Sequence, residues 1–199
     1  SVESVLTNIQ GIKIAYPSNS ADMKGLMKAA YYDPNPVLIL EHKGLYWSKI
    51  KGTENSKSIE PAKDYILPLG KGNIVISADE KNIQNGTTVA IITYGMGVYW
   101  ALEAAKKFTG QVEIIDLRTL YPLDEKLIYD TVKKHNRCLI ITEEPSENSF
   151  AQALSGKIQE NCFTHLDAPV KVVGSENVPA IPLNSILEEH YLPNAEKVT

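Results

Sequence analysis

The feature that most constrains this chain is a repeated alternation. Short unbroken apolar runs are each followed by a stretch whose apolar residues fall at helical spacing. From residue 88 onward the alternation runs four times. The strands read as 88–93 (TVAIIT), 112–117 (VEIIDL), 138–142 and 170–173. The helices read as 98–107, a segment opened by Pro122 and Asp124 that carries Leu127, Ile128 and Val132, then 149–161 and 183–190. Apolar runs without a polar face suit parallel strands covered on both sides. Strand and helix in strict turn predict an open, mostly parallel α/β sheet with right-handed crossovers.

The same alternation occurs once near the start. Residues 11–16 (GIKIAY) read as a strand closed by Pro17, and Ser18-Asn19-Ser20 supplies N-cap candidates with Asp22 in the first helical turn. Ala21, Leu26, Met27, Ala29 and Ala30 give the helix an apolar face, which Asp33-Pro34 ends. The run 37–40 (VLIL) is expected to be a parallel strand covered on both faces. Between 43 and 86 regularity fades into Gly-, Pro- and charge-rich sequence, expected to be linker and loops. A hairpin is expected there from strand-like 74–76 and the turn pair Asn85-Gly86. The organisation is half a domain, a linker, then one complete domain.

Charge excludes some partners. The formal net charge over 199 residues is −4 with both signs interspersed, so no basic stripe for nucleic acid exists. No apolar run reaches the roughly 20 residues that span a bilayer, and no membrane association is expected. The start, SVESVLTNIQ, lacks the order of a signal peptide and reads as the cut edge of a longer polypeptide. Cys138 and Cys162 sit in apolar surroundings, and both are expected to pack as small buried hydrophobes. Two cysteines fit a reducing compartment, hence a cytoplasmic location.

Open α/β sheets gather ligands at the carboxyl ends of their strands. Glu41-His42 there offers a carboxylate and an imidazole, but neighbours on a strand face opposite ways, so a salt-bridged strand end is the simpler reading. Glu143-Glu144 invites a divalent metal, against the plainer reading of a polar helix entry. Tyr94-Gly95-Met96-Gly97 stands where dinucleotide folds place a phosphate loop, yet Trp100 occupies the third glycine position. Arg118, in Asp116-Leu117-Arg118-Thr119, suits either an anion clamp or an ion pair across a domain or subunit boundary. No Ser-His-Asp order, P-loop, C-x-x-C or H-E-x-x-H is present. The residues leave an α/β fragment without an autonomous catalytic constellation. The alternative is a small-ligand or nucleotide-binding module built on Gly95, Gly97 and Arg118.

Several strings together resemble one family. Residues 11–47 (GIKIAYPSNSADMKGLMKAAYYDPNPVLILEHKGLYW) resemble the end of the pyrimidine-binding domain in beta subunits of pyruvate and branched-chain 2-oxo-acid dehydrogenases. Residues 89–105, 112–144 (VEIIDLRTLYPLDEKLIYDTVKKHNRCLIITEE), 166–174 and 187–193 resemble the transketolase-type C-terminal domain of the same subunits. Transketolase itself and 1-deoxyxylulose-phosphate synthase match EHKGLYW and DLRTLYPLD less well. The chain departs from the family where a glycine-rich turn is replaced by 146–150 (SENSF), and where an Asp-x-Pro gives way to Asn177-Val178-Pro179.

The resemblance implies an α/β fold in three regions. These are 1–46, the C-terminal part of the pyrimidine-binding domain; 47–86, linker and loops; and 87–199, a transketolase C-terminal-like domain. It implies oxidative decarboxylation of a 2-oxo acid with acyl transfer to lipoyl, in an enzyme using thiamine diphosphate and magnesium held by its alpha half. The activating glutamate and catalytic histidine would lie N-terminal to Gly11, so no catalytic or cofactor-binding residue is assigned here, and the fragment is expected to be inactive alone. It also implies a structural potassium ion, with Ala30 and Asn35 giving carbonyl oxygens and Asp33 a carboxylate. The implied partners are the alpha half, a second beta half, and the subunit-binding domain of the dihydrolipoyl acyltransferase.

Overall fold

The computed structural model describes residues 2–47, 50–179 and 181–199; Ser1, Ser48, Lys49 and Ala180, which fall in the three expected regions, lie outside the described residues. The chain opens with α1 (Glu3–Thr7), β1 (Lys13–Ala15), α2 (Ser20–Tyr32), β2 (Val37–Ile39) and α3 (Lys43–Tyr46). Next come β3 (Asn73–Ile76), α4 (Glu80–Gln84), β4 (Val89–Thr93), α5 (Gly97–Ala105), β5 (Val112–Asp116), β6 (Thr119–Tyr121) and α6 (Glu125–His135). The rest is β7 (Cys138–Pro145), α7 (Phe150–Cys162), β8 (Lys171–Ser175), α8 (Ser185–Tyr191) and α9 (Ala195–Val198).

The larger sheet has the order β3-β5-β4-β7-β8, parallel except for β3, which runs antiparallel to β5. Consecutive residues of its inner strands pack on opposite faces, as the period-2 geometry of a strand requires. Ile92, Ile115 and Ile140 meet α6 and α7 through Ile128, Val132, Leu154 and Ile158. Their neighbours Ile91, Ile114 and Ile141 meet α5 through Ala101 and Ala105. Removing each such side chain from water contributes about 1.5–3 kcal/mol. The helix ends follow local chemistry. The Asp124 carboxylate accepts the Leu127 N–H at 3.3 Å and caps α6, and Asn136 ends it in the left-handed region at φ 61°.

The smaller sheet has the order β2-β1-β6, with β1 parallel to β2 and antiparallel to β6. Asn19 caps α2 by accepting the Asp22 N–H at 2.9 Å. The expected double-sided cover of the VLIL run is a correction: β2 is an edge strand among the described residues, and Leu38 is 37% exposed. The expected hairpin is a second correction. β3 pairs with β5, and Asn85-Gly86 instead closes α4, with Gly86 at φ +65°. The segment of α4 buries no side chain, so it carries no apolar period to read.

A buried polar cluster sits on β5 of the larger sheet. Glu113 accepts from Lys134 at 2.8 Å and lies 3.4 Å from His135 Nε2, while His135 Nδ1 meets Thr88 Oγ1 at 2.7 Å. Burial holds the His135 imidazole below its ordinary value, against the attraction of Glu113.

Candidate functional site at the carboxyl edge

From β4 the chain steps to β5 on one side and later to β7 on the other, so the carboxyl end of β4 is a topological switch point. Ligands of open sheets collect at such points, and most of the residues singled out from the sequence do lie here. The structure fills the point with protein. Gly95 adopts φ +53°, and a Cβ there would lie 2.8 Å from the Tyr16 ring. Tyr16 stacks at 5.3 Å on Tyr94, which in turn meets Phe150 at 5.7 Å and Thr142 Oγ1 at 2.7 Å. A Cβ on Gly97 would run into Thr93 Oγ1, whose hydroxyl donates to the Ile141 carbonyl at 3.0 Å. Both glycines therefore admit close packing, and the alternative of a phosphate cradle on Gly95 and Gly97 is corrected.

Arg118 is engaged in the same way. Its Nε and Nη2 donate to the two Asp22 oxygens at 2.7 and 2.8 Å, a bidentate pair between the end of β5 and the first turn of α2. Of the two readings for Arg118, the structure shows the guanidinium in an ion pair, with Asp22 of α2. Arg118 holds φ 58°, a conformation that costs a non-glycine residue about 1–3 kcal/mol. It is fixed there by the Arg118 N–H donating to Asp116 Oδ1 at 3.0 Å, and by the Tyr16 N–H donating to the Arg118 carbonyl at 2.8 Å. The second Asp116 oxygen accepts from Ser18 at 2.5 Å, and the Tyr99 hydroxyl donates to the Ser18 carbonyl at 2.7 Å. Burial pushes the Asp116 carboxyl up to about 6, opposed by the hydrogen bonds from Ser18 and Arg118.

The paired candidates separate. His42 Nε2 meets Glu143 Oε2 at 2.7 Å, which joins the loop after β2 to β7, while Glu41 is exposed. Glu144 is the helix entry that its position suggested, and it serves two helices: Oε2 accepts the Phe150 N–H of α7 and Oε1 accepts the Ser4 N–H of α1, both at 2.8 Å. Beside it Glu3 is 1% exposed, and its Oε2 has no hydrogen-bond partner among the described residues. Burial pushes the Glu3 carboxyl up to about 7, and Glu144 adds to the rise. Cys138 and Cys162 are free and buried, as expected, and burial raises both thiols.

The expected cation ligands end α2. Ala30 offers its carbonyl, which accepts the Asp33 N–H at 3.3 Å. Asp33 Oδ1 accepts from the backbone N–H of Asn35 at 2.9 Å, and Asp33 Oδ2 holds Lys13 Nζ at 2.5 Å. The hydrogen bond from Lys13 lowers the Asp33 carboxyl. A lysine ammonium thus already provides positive charge at this helix C-terminus, and a potassium ion at Ala30, Asp33 and Asn35 would compete with it. Among the described residues no group of three His, Cys, Asp or Glu is placed to hold a metal ion.

Sequence reasoning missed Glu3, Tyr16 and the partnership of Asp22. A tyrosine before a proline carries no local mark of a plug, and a separation of 96 positions hides the pairing of Asp22 with Arg118. The one usable sign was an unassigned arginine at a strand end.

Comparison with known proteins follows the same outline. Residues 80–198 match the family model described as "Transketolase, C-terminal domain". The chain is 37% identical over its whole length to the 2-oxoisovalerate dehydrogenase subunit beta of Bacillus subtilis, of which it covers 57%. It is 33% identical to the pyruvate dehydrogenase E1 component subunit beta of Rhizobium meliloti, with 96% of this chain and 39% of that one aligned. The chain therefore spans about half the length, or less, of these relatives. A solved structure titled "Split gene transketolase, inactive beta4 tetramer" superposes with a TM-score of 0.72 at 20% identity, over 98% of this chain and 58% of that one. This last likeness speaks for the fold alone.

Proposed function

Because this chain belongs to the transketolase C-terminal domain family, we propose that it is the C-terminal part of the beta half of a thiamine-diphosphate-dependent 2-oxo-acid dehydrogenase. Its enzyme would decarboxylate a 2-oxo acid oxidatively and pass the acyl group to a lipoyl arm. The observation that carries the reading is the 37% identity along the entire chain to a 2-oxoisovalerate dehydrogenase beta subunit. The carboxyl edge agrees with a role in assembly: Gly95, Arg118, His42 and Glu144 are all engaged in packing or pairing. In the complete enzyme thiamine diphosphate, with magnesium, supplies the carbanion chemistry of decarboxylation.

The regional division belongs to the same proposal: 1–46 as the end of the pyrimidine-binding domain, 47–86 as linker and 87–199 as the C-terminal domain. So do a cytoplasmic location and three partners. The alpha half and a second beta half would cover apolar surface such as the β2 edge at Leu38 and the exposed Tyr31 and Tyr32 at the end of α2. A subunit-binding domain of the acyltransferase would meet the α8 region, where Leu183, Ile186 and Leu187 are exposed beside Glu188 and Glu189. Potassium at Ala30, Asp33 and Asn35 requires Lys13 to leave Asp33, so the ion and the lysine compete. Lys13→Met is then expected to make the thermal midpoint respond to potassium over lithium.

The decisive experiment purifies the native polypeptide that carries this chain, with whatever copurifies, and measures release of carbon dioxide from pyruvate and from 2-oxoisovalerate. Release that depends on added thiamine diphosphate is expected. No release from either acid, with the polypeptide folded and its partners present, overturns the proposal.

A further inference from the structure

Two carboxylates meet at the carboxyl end of β7, and their surroundings differ. Glu144 has a backbone N–H on each oxygen, from Ser4 at 2.8 Å and from Phe150 at 2.8 Å. Glu3 is buried beside it with Oε2 unpartnered among the described residues. Backbone N–H groups of Glu3 and Val2 reach this carboxyl, but a buried carboxylate with one oxygen lacking a donor is still costly, and a second carboxylate nearby makes its charged form costlier. Protonation removes both costs at once. α1 rests on these contacts, because the Ser4 N–H that Glu144 accepts is the next residue along from Glu3.

We propose that Glu3 is a proton-operated latch, which holds α1 on the carboxyl end of β7 when protonated and releases it when ionised. In the docked state Glu3 already walls a cleft of about 270 Å³ with Tyr16, His42 and Glu143, and release of α1 would widen it. Burial and the neighbouring carboxylates favour the neutral form of Glu3, while the backbone N–H groups of Glu3 and Val2 and the positive charge of the N-terminal amine oppose it. From β7 come Glu143 and Glu144, from the residue after β1 comes Tyr16, and from the residue after β4 comes Tyr94, whose buried hydroxyl gains no negative neighbour while Glu3 is neutral. The loop after β2 adds Glu41, and His42 is paired with Glu143. Lys43 is the cation on that wall. On α7 the charge near α1 is Lys157, which is paired with Glu125 at 2.6 Å. β6 contributes Tyr121.

The direction of the effect follows from linkage. The docked carboxyl is pushed up to about 7, and a released, solvated one returns to its ordinary range near 4.3. The docked state therefore binds the extra proton. Docking is strongest below the ordinary value and weakens about tenfold per pH unit until pH passes about 7, where it levels.

The test is amide hydrogen exchange of Ser4 in the full chain between pH 5 and pH 8, corrected for intrinsic base catalysis, with carboxyl-labelled glutamate followed by NMR. The expected result is a rise in Ser4 exchange of about tenfold per pH unit that levels near neutrality, in step with one glutamate carboxyl. Glu3→Gln, which keeps shape and loses the charge, should hold exchange at its low-pH value throughout. Flat exchange in the unaltered chain, or a rise that persists in E3Q, overturns the latch. The titration of the unaltered chain decides the matter even if the variant folds poorly.

Discussion

The two sheets of this molecule hold together by different means. The inner strands of the five-stranded sheet are apolar on both faces, and each face has a helix against it. The β1–β2 pair has cover on fewer sides: β2 is half-buried at best, and β1 is finished on its free side only by the short β6. The first unit is fastened to the second by the apolar packing of Ile14, Tyr16 and Leu45 and by named polar contacts: Arg118 on Asp22, Ser18 on Asp116, and His42 on Glu143. A complete sheet is stabilised through its area, which is shared among many side chains. A partial unit depends more on a few pairs, and each pair matters individually.

That contrast breaks most readily at the bidentate pair. Arg118→Ala leaves Asp22 buried without its partner and is expected to cost about 3–5 kcal/mol. Arg118→Lys should recover little, because an ammonium cannot reproduce the two-pronged contact. Denaturant unfolding gives the magnitude, and hydrogen exchange locates it. Protection should fall over β1, α2 and β2 and stay in β4, β5 and β7. Equal loss in both sheets would show that the boundary pair supports the whole chain.

Next comes the area argument. Ile140→Ala, at a fully buried position of β7, should cost about 2–5 kcal/mol. Leu38→Ala on the exposed edge should fall within about 1 kcal/mol. Equal costs would abolish the distinction between the sheets.

A third comparison uses pH, because the interior of the large sheet and its contact edge with the first unit should respond in opposite directions. His135 is held below its ordinary value, so the unfolded chain binds more protons there. The large sheet should then lose stability as pH falls below about 6.5. Asp116 and Glu3 are raised to about 6 and about 7, so their contribution is complete in acid and is lost as pH rises through those values. Each slope is limited to about 1.4 kcal/mol per pH unit and proton. Region-resolved exchange at pH 5 and pH 8 should show the crossing, and parallel slopes would argue against it.

The smallest effect sharpens the picture at the helix starts. Asp124→Ala and Asn19→Ala remove caps of the same kind from α6 and α2, and each should cost about 1 kcal/mol. In α6 the loss should appear as a lower global midpoint. In α2 it should appear first as local opening.

These differences also explain what could be read from the residues alone. Runs such as TVAIIT and VEIIDL carry their own period, so β4 and β5 and the helices after them were legible to within a residue or two. Cap chemistry at Asn19, Asp124 and Ser149 was equally local. β6 spans three residues and α1 five, too few to show a period, and β3 found its partner about 40 positions away. The boundary was the least legible part. Arg118 declared a need for an anion, but only folding brings Asp22 to it. The sequence presented Glu41 beside His42 and Glu143 beside Glu144, whereas the structure couples His42 with Glu143 and Glu144 with two helices.

One consequence concerns how substitutions at Gly95 and Tyr16 would be inherited together. The missing side chain at 95 is matched by the ring at 16, so the two positions form a lock and its suppressor. Alanine at 95 drives into that ring, and a smaller residue at 16 relieves the clash. It leaves untouched the strain of φ +53° on a residue with a Cβ. Suppression should therefore be partial in one direction. A lone change at 16 merely opens a gap, whereas a lone change at 95 brings a collision and a strained backbone, and descendants of the chain would meet the first far more readily than the second.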